Sequence, residues 1–313
     1  MMFAGAMVVA MGVDAALGWP DRLYARIGHP VTWAGALISV LDRACNREAD
    51  SPPRRRAAGV LVALTVIGLA ALIGALMQGA LPRGWAGALM TGILAWPLVA
   101  LRSMYGHVAA VARPLASGDL DGARHAVSMI VGRDTKQLDA PGVARAALES
   151  LAENTSDGIV APIFWGAVLG LPGIAAYKAI NTLDSMIGHH SPRYEAFGWA
   201  SARIDDVVNL IPARLTGLLF ALASGAPGPA LACMGCDARR HRSPNAGWPE
   251  AAMAGALGVR LSGPRVYGDG LSHEPWVNAG ARDPQADDIA RGLTLYIRAM
   301  LVLAGLLALL LPI

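Results

Sequence analysis

The sequence predicts an all-α, polytopic integral membrane protein with about five spans, one broken or re-entrant central segment and helical polar regions, all within a single membrane-embedded domain, 1–313. Three observations carry this. Hydrophobic residues are 54% of the chain and charged ones only 16%, against roughly 25% charge in an ordinary soluble domain. Mean hydropathy is +0.43. Apolar runs of span length recur, separated by arginine-bearing or Pro-Gly turns.

Residues 2–19 are apolar except for Asp14 and read as a short first span. Asp14 either faces a partner in the membrane or, the reading adopted, sits at the interface capping a helix end. After Gly28-His29-Pro30, residues 31–41 are too short to cross ~30 Å of hydrocarbon and suit an interfacial helix. Residues 42–56 hold Arg43, Arg47 and Arg54-Arg55-Arg56 beside Pro52-Pro53, the signature of a short cytoplasmic loop. The charge-free run 57–79 is the clearest span, LPRGW is a turn, and 85–101 returns. Residues 102–157 form a polar extramembrane region, in which Pro141 starts a helix through about Glu153. Arg145, Glu149 and Glu153 recur every four residues on that helix, and the first two read as a solvated salt-bridge ladder.

The central stretch 158–180 has span length but includes Pro162, Gly166, Gly170, Pro172 and Gly173. One straight rod and two half-helices meeting at Leu171-Pro172-Gly173 both fit; broken helices at membrane depth line protein or water-filled cavities. Beyond it Tyr177, Asn181, Asp184 and Ser185 line one helical stripe. Residues 204–224 make a further span headed by Asp205 and Asp206, 237–292 a second polar region, and 293–312 the last span.

Charge and motifs narrow the function. The net charge of +3, from 24 arginines and 2 lysines, is too weak and diffuse for a nucleic-acid partner. Three cysteines make no disulfide framework, and the lone CMGC at 233–236 lacks the second pair of a zinc site, so it reads as small apolar filler. No Lys or Arg precedes Arg22, so the N-terminus lacks the positive region of a cleaved signal and is expected to be retained. GxxxxGK[ST], a strand-borne GxGxxG, HExxH and GxSxG are absent. What remains are polar knots at span boundaries: GHP at 28–30, VGRDTKQL at 131–138, ENTSDG at 153–158, NTLDS at 181–185, SARIDD at 201–206 and RRHRSPNAGWPEA at 239–251. Arginine donors with hard carboxylates in a low-dielectric setting suit phosphate and Mg²⁺.

The stretches GHPVTWAGALI, VGRDT, ESLAENTSDGIVAPIFW, AYKAINTLDSMIG, RIDDVVNLIPARLTG and DARRHRSPNAGWPEAAMAGAL together closely resemble the CobD/CbiB family of cobalamin biosynthesis, the adenosylcobinamide-phosphate synthases. The resemblance runs from about Asp14 to Tyr267. It implies a multi-pass bacterial inner-membrane ligase that joins the carboxylate of adenosylcobyric acid to aminopropanol or its O-phosphate, consuming ATP. Its partners are then those substrates and the lipid bilayer; a homo-oligomer or contact with other corrinoid-pathway enzymes is left open. Two departures from the family pattern, Ala36 for a usual Arg and His189 for a common Tyr, mark Ala36 and His189-His190 as peripheral.

Residue type then distributes roles for such a reaction. Glu153, Asp157, Asp184 and Asp206 are the catalytic candidates, with Asp157 and Asp184 the Mg²⁺ ligands. Arg133, Lys136 and Arg242 are phosphate partners, Asn154, Asn181, Ser185 and Asn245 orient substrate amides, and His29, Asp134 and Glu250 complete the binding set. A small transporter would also place polar residues at broken helices, and a membrane scaffold for corrinoid enzymes is the third class. Flux in sealed vesicles marks the transporter, and function without the carboxylates marks the scaffold.

Overall fold

The computed structural model describes residues 3–132, 134–267, 270–272 and 274–311. Its helices are α1 (Ala4–Leu17), α2 (Asp21–Ile27), α3 (Pro30–Cys45), α4 (Pro52–Ala80), α5 (Trp85–Ala95), α6 (Leu101–Ala116), α7 (Leu120–Ser128), α8 (Ala140–Thr155), α9 (Ala161–Leu169), α10 (Leu171–Ile187), α11 (Trp199–Val208), α12 (Leu210–Ala223), α13 (Pro227–Asp237), α14 (Gly247–Leu257) and α15 (Ala286–Leu309). Two short antiparallel ladders interrupt the second polar region. β1 (Leu261–Ser262) pairs with β4 (Trp276–Val277), and β2 (Arg265–Tyr267) with β3 (Gly270–Ser272).

Several long apolar helices are those of a multi-pass membrane protein. Among the described residues three runs are long and apolar enough to cross: α4, Trp85–Ala116 with its 3₁₀ turn at Trp96–Leu98, and α15. The broken pair Trp199–Val208 and Leu210–Ala223 makes a fourth if counted as one span. The sequence reading counted five, and the difference lies at the N-terminus. There α1 has 14 residues, about 21 Å at 1.5 Å per residue, short of ~30 Å of hydrocarbon.

The chain divides into two compact units, the first made of Met1–Ala100, Ala161–Asn209 and Leu307–Ile313, the second of Leu101–Val160 and Leu210–Leu306. In the first unit α10 runs back along α4. A Cβ on Gly74 would stand 2.7 Å from the carbonyl oxygen of Leu171, while Gly59, fifteen residues earlier, abuts Phe197 beyond the end of α10. Between these contacts Ile38, Val62, Ala63, Val66, Ala179, Leu183 and Ile187 form one buried cluster. Gln78 fixes the upper end: its Oε1 accepts the Leu171 N–H at 3.2 Å and its Nε2 donates to Thr91 Oγ1 at 3.0 Å. The opposite face of α4 leaves Leu61, Leu64, Leu72 and Leu76 exposed, as a lipid-facing stripe requires.

The central segment doubles back. Gly170 takes φ +72°, a left-handed conformation that favours glycine, and α9 and α10 pack on each other across it. Residues eight apart on a straight helix stand ~12 Å apart along its axis, yet Gly173 has no room for a side chain beside the Trp165 carbonyl. The break falls one residue before the Leu171-Pro172-Gly173 expected from sequence. Pro172 fits because the first helical turn needs no N–H partner there.

In the second unit α8 is the buried axis. Asp139 caps it by accepting the Gly142 N–H at 2.8 Å, Pro141 occupies its first turn, and Val143, Ala144, Ala146, Ala147, Leu148, Leu151 and Ala152 are fully buried. Ala251–Ala254 of α14 are buried with them. Burying Leu148 alone contributes about 1.5–3 kcal/mol, and truncating it to Ala would cost about 2–5.

This burial overturns the solvated ladder expected for Arg145 and Glu149. Arg145 donates to Asp283 at 2.6 Å and stacks on Trp276, and Glu149, 5% exposed, accepts the Ser262 N–H at 2.7 Å. The i, i+4 spacing suggested pairing along the helix, but both side chains reach partners more than a hundred residues away.

Candidate functional site

In the first unit the candidate residues gather on the polar stripe of α10. Tyr177, 1% exposed, donates to Asn209 Oδ1 at 2.9 Å, and Asn209 Nδ2 donates to Asp205 Oδ2 at 2.9 Å, so a buried relay links the stripe to the end of α11. Ser185 is exposed, and its hydroxyl is turned back onto the Asn181 carbonyl at 2.8 Å. Asp184 is half-buried in the last turn of α10, with its Oδ1 over Gly188, where no side chain would fit. Burial, then the Asp206 carboxylate, pushes its pKa above the usual carboxylate value, while His189 and His190 oppose the shift. Asp206 itself pairs with Arg203 at 3.2 Å. The two exposed histidines, read as peripheral, therefore stand within electrostatic reach of the central acid.

A latch holds that histidine-bearing loop. Asp42, 7% exposed, accepts from Arg193 at 2.8 Å, from Tyr194 at 3.3 Å and from Asn46 at 2.9 Å. Arg55 in the first turns of α4 donates to Asn46 at 2.9 Å and to the Arg193 carbonyl. One arginine of the expected cytoplasmic triplet is thus a structural clamp.

His29 caps α3. Its Nδ1 accepts the Val31 N–H at 3.2 Å, its own N–H donates to Thr32 Oγ1 at 3.1 Å, and Trp19 packs edge-on at 5.0 Å. Burial, then the Lys178 charge, keeps its pKa below the ordinary value. The cap occupies Nδ1, and a hydrogen bond to the Pro97 backbone opposes that shift. Asp14, expected at the membrane interface capping a helix end, is 4% exposed.

In the second unit α8 ends on ENTSDG, where Glu153 and Asn154 are exposed and Asn154 Nδ2 donates to the Ser150 carbonyl at 2.9 Å. A π-helical turn, Ser156–Val160, follows and presents Asp157 half-buried. Such widened turns are rare and concentrate at functional sites. Asp134 and Lys136 are exposed; with Arg124, His125 and Ser128 they line a polar cavity of about 410 Å³. Arg133, the neighbouring phosphate candidate, lies outside the described residues.

RRHRSPNAGWPEA folds as a tight knot between α13 and α14, with Gly247 pressed on the Ala238 carbonyl. His241 Nδ1 accepts the Ser243 N–H at 3.1 Å, which leaves Nε2 to face Glu250 Oε1 at 3.6 Å. Glu250 is 2% exposed and Asn245 5%. Exposed Arg242 reaches Glu274 at 3.4 Å; Ser262, at φ +59°, donates to Glu274 at 3.4 Å and to Glu149. Sequence reasoning chose Arg242, Asn245 and Glu250 but passed over His241 and Glu274. His241 offered a signal, since it sits in the same knot.

Among the described residues no group of three or more His, Cys, Asp or Glu is placed to hold a metal ion. Mg²⁺ ordinarily takes one or two carboxylates and completes its shell with phosphates and water. Asp184 with Asp206 beside it supplies hard oxygen donors of that kind. Cys233 behaves as filler: burial, then Asp237, pushes its thiol up to about 12.

The profile of the family described as CobD/Cbib protein matches residues 7–296. Over 300 residues the chain is 70% identical to the cobalamin biosynthesis protein CobD of Rhodobacter capsulatus, covering 96% of this chain and 95% of that one. It is 47% identical over 307 residues to the protein of the same name from a Sinorhizobium species (96% and 95%), and 48% over 306 residues to that of Brucella suis (95% and 94%). No solved structure matches.

Proposed function

This chain belongs to the CobD/CbiB family and is a cobalamin biosynthesis protein, and on that premise we propose that it is an ATP-dependent acid–amine ligase of the bacterial inner membrane. It joins adenosylcobyric acid to (R)-1-aminopropan-2-ol or to the O-phosphate of that amine. The observation that carries the reading is near-full-length identity of 70% to a relative named for this pathway.

A carboxylate is a poor electrophile, so one oxygen must become a leaving group. It attacks the γ-phosphorus of ATP, releasing ADP and forming an acyl phosphate. The neutral amine then attacks the acyl carbon, phosphate leaves with the C–O bond electrons, and the nitrogen's surplus proton passes to a carboxylate. Within the first unit Asp184 and Asp206 are assigned to Mg²⁺, which supplies charge neutralisation on the phosphates when bound. Asn181 and Ser185 orient carboxamide arms. Within the second unit Glu153 and Asp157 are assigned to proton and phosphoryl handling, Lys136 and Arg242 to phosphate, and Asn154 and Asn245 to amides. His241 keeps Glu250 oriented.

Incubating the purified protein with adenosylcobyric acid, Mg-ATP and each amine in turn, followed by mass analysis of the corrinoid, tests the assignment. The expected product has the mass of the acid plus amine minus water, with one ATP hydrolysed per bond. Unchanged acid with both amines would refute it.

A further inference from the structure

Lys178 belongs to the motif AYKAINTLDS but to none of the roles above, and its setting is unusual for a cation. On α10 it shares one helical face with Asn181, Thr182 and Ser185, at i, i+3, i+4 and i+7. The stripe therefore leads inward from exposed Ser185 at the helix end. Its depth follows from the packing of α10 on α4. Gly74 lies against Leu171, and the two helices run in opposite directions, so seven residues along α10 correspond to seven back along α4. Lys178 thus stands level with roughly residue 67 of α4 at equal rise per residue, in the middle of the charge-free run 57–79.

Lys178 and Thr182 line a cavity of about 360 Å³ whose walls are otherwise apolar, among them Leu37, Val66, Ile73 and Met77. His29 lies within electrostatic reach. An ionisable group at this depth is costly, which makes it a site residue by default, and its aliphatic stem can lie along apolar walls while the ammonium meets a ligand.

We propose that Lys178 recognises the reacting carboxylate of the corrinoid acid, pairing its ammonium with the one negative arm of a ligand whose other arms are carboxamides. The inference rests on the function proposed above and adds the residue that selects the arm. Carboxylate and carboxamide have nearly the same shape, so charge is what distinguishes them, and an ammonium in a low-dielectric recess discriminates far more strongly than one in water. The cavity is within the ~300–1,000 Å³ range of ligand sites. It suits one side arm and an apolar ring edge, leaving the rest of the macrocycle outside. A point-charge ammonium fits a single carboxylate oxygen without the planar demand of a guanidinium.

The test uses the full chain in lipid nanodiscs, as wild type, K178Q and K178R. With Mg-ATP and amine saturating, K178Q should raise the KM for adenosylcobyric acid by roughly 10- to 100-fold, the range of a charge-assisted hydrogen bond. The KM for ATP should stay within about twofold, and K178R, which keeps the charge but not the compact ammonium, should recover part of the loss. Equilibrium dialysis read by corrin absorbance gives a second measure: wild type should prefer the acid over its fully amidated analogue by at least ~10-fold, and K178Q should not. If wild type turns over and K178Q keeps its KM and its preference, the role of Lys178 is overturned and the ligase assignment stands. If wild type makes no amide with either amine, the ligase assignment falls and the carboxylate role with it.

Discussion

The Asp184→Asn variant should unfold at a higher temperature than wild type while losing turnover. Asp184 is in the last turn of α10, where the helix dipole disfavours an anion by about 0.3–1 kcal/mol. Burial and the Asp206 carboxylate add to that, as its raised pKa records. Asn is isosteric and keeps the contact over Gly188, so its gain is of the order of 1 kcal/mol, typical when a site residue is relaxed. In a unit of roughly 150 residues that is about 2–4 °C.

The sign with pH follows from linkage. The native form holds the proton more tightly than the unfolded chain, so the penalty is absent below the ordinary value of 3.8 and grows until the folded pKa is passed. It is constant above that, so the variant's advantage is complete at neutral pH and vanishes in acid. Scanning fluorimetry in nanodiscs from pH 3 to 8 measures it, and mass analysis of the corrinoid measures turnover, expected to fall at least ~100-fold with an electrostatic ligand lost. A variant with near-normal turnover, or one that melts lower than wild type at pH 7, would refute the reasoning.

Asp283 behaves in the opposite sense. Arg260, opposed by partial burial and joined by Arg145, holds its carboxyl at about 2, so its stabilisation is full above 3.8 and is lost as pH falls through about 2. The side chain is 30% exposed, so Asp283→Ala should cost about 1–2 kcal/mol at pH 7 after screening; its urea midpoint should converge with wild type near pH 2. Glu149→Ala removes the acceptor from a buried Ser262 N–H held at φ +59°. It should cost about 1–3 kcal/mol and abolish slow hydrogen exchange at that amide. Gly74→Val drives a side chain into the Leu171–Pro172 backbone and should lower the melting temperature by an amount matching roughly 1–3 kcal/mol. Gly68→Val on the same helix, where the space is open, should leave it unchanged.

Much of this arrangement is legible in one dimension, and the exceptions share a cause. The span 57–79 is visible because its apolar run is uninterrupted, and the break near Pro172 because proline and glycine cluster there. The stripe from Tyr177 to Ser185 emerges from helical spacing alone. Glu149 and Arg145 were misread because their partners, Ser262 and Asp283, lie 113 and 138 residues away. Spacing reveals neighbours along a helix and says nothing of neighbours across a core. Asn209 had no local signal, since its role arises only from lying between Tyr177 and Asp205. The short α1 was counted as a span because hydropathy sums residues without seeing where Gly18 ends the helix.

The glycines have the largest consequence. Read in sequence, Gly166, Gly170 and Gly173 are breakers, yet only Gly170 uses a conformation that favours glycine. Of the other two, Gly166 makes room for the Met7 side chain, while Gly173 lets backbone approach backbone at the Trp165 carbonyl, as Gly59 does at that of Phe197 and Gly74 at that of Leu171. Hydrocarbon gives helices no hydrophobic reason to associate, so close approach and dispersion must hold them, and small residues supply it. The same contacts fix how far α10 slides along α4. A bulkier residue at 59 or 74 would shift the register of the whole stripe, and a slip of one turn moves Lys178 by about 5.4 Å in depth. The packing glycines therefore set the depth at which the polar stripe ends, and with it the dielectric in which a ligand's charge is read.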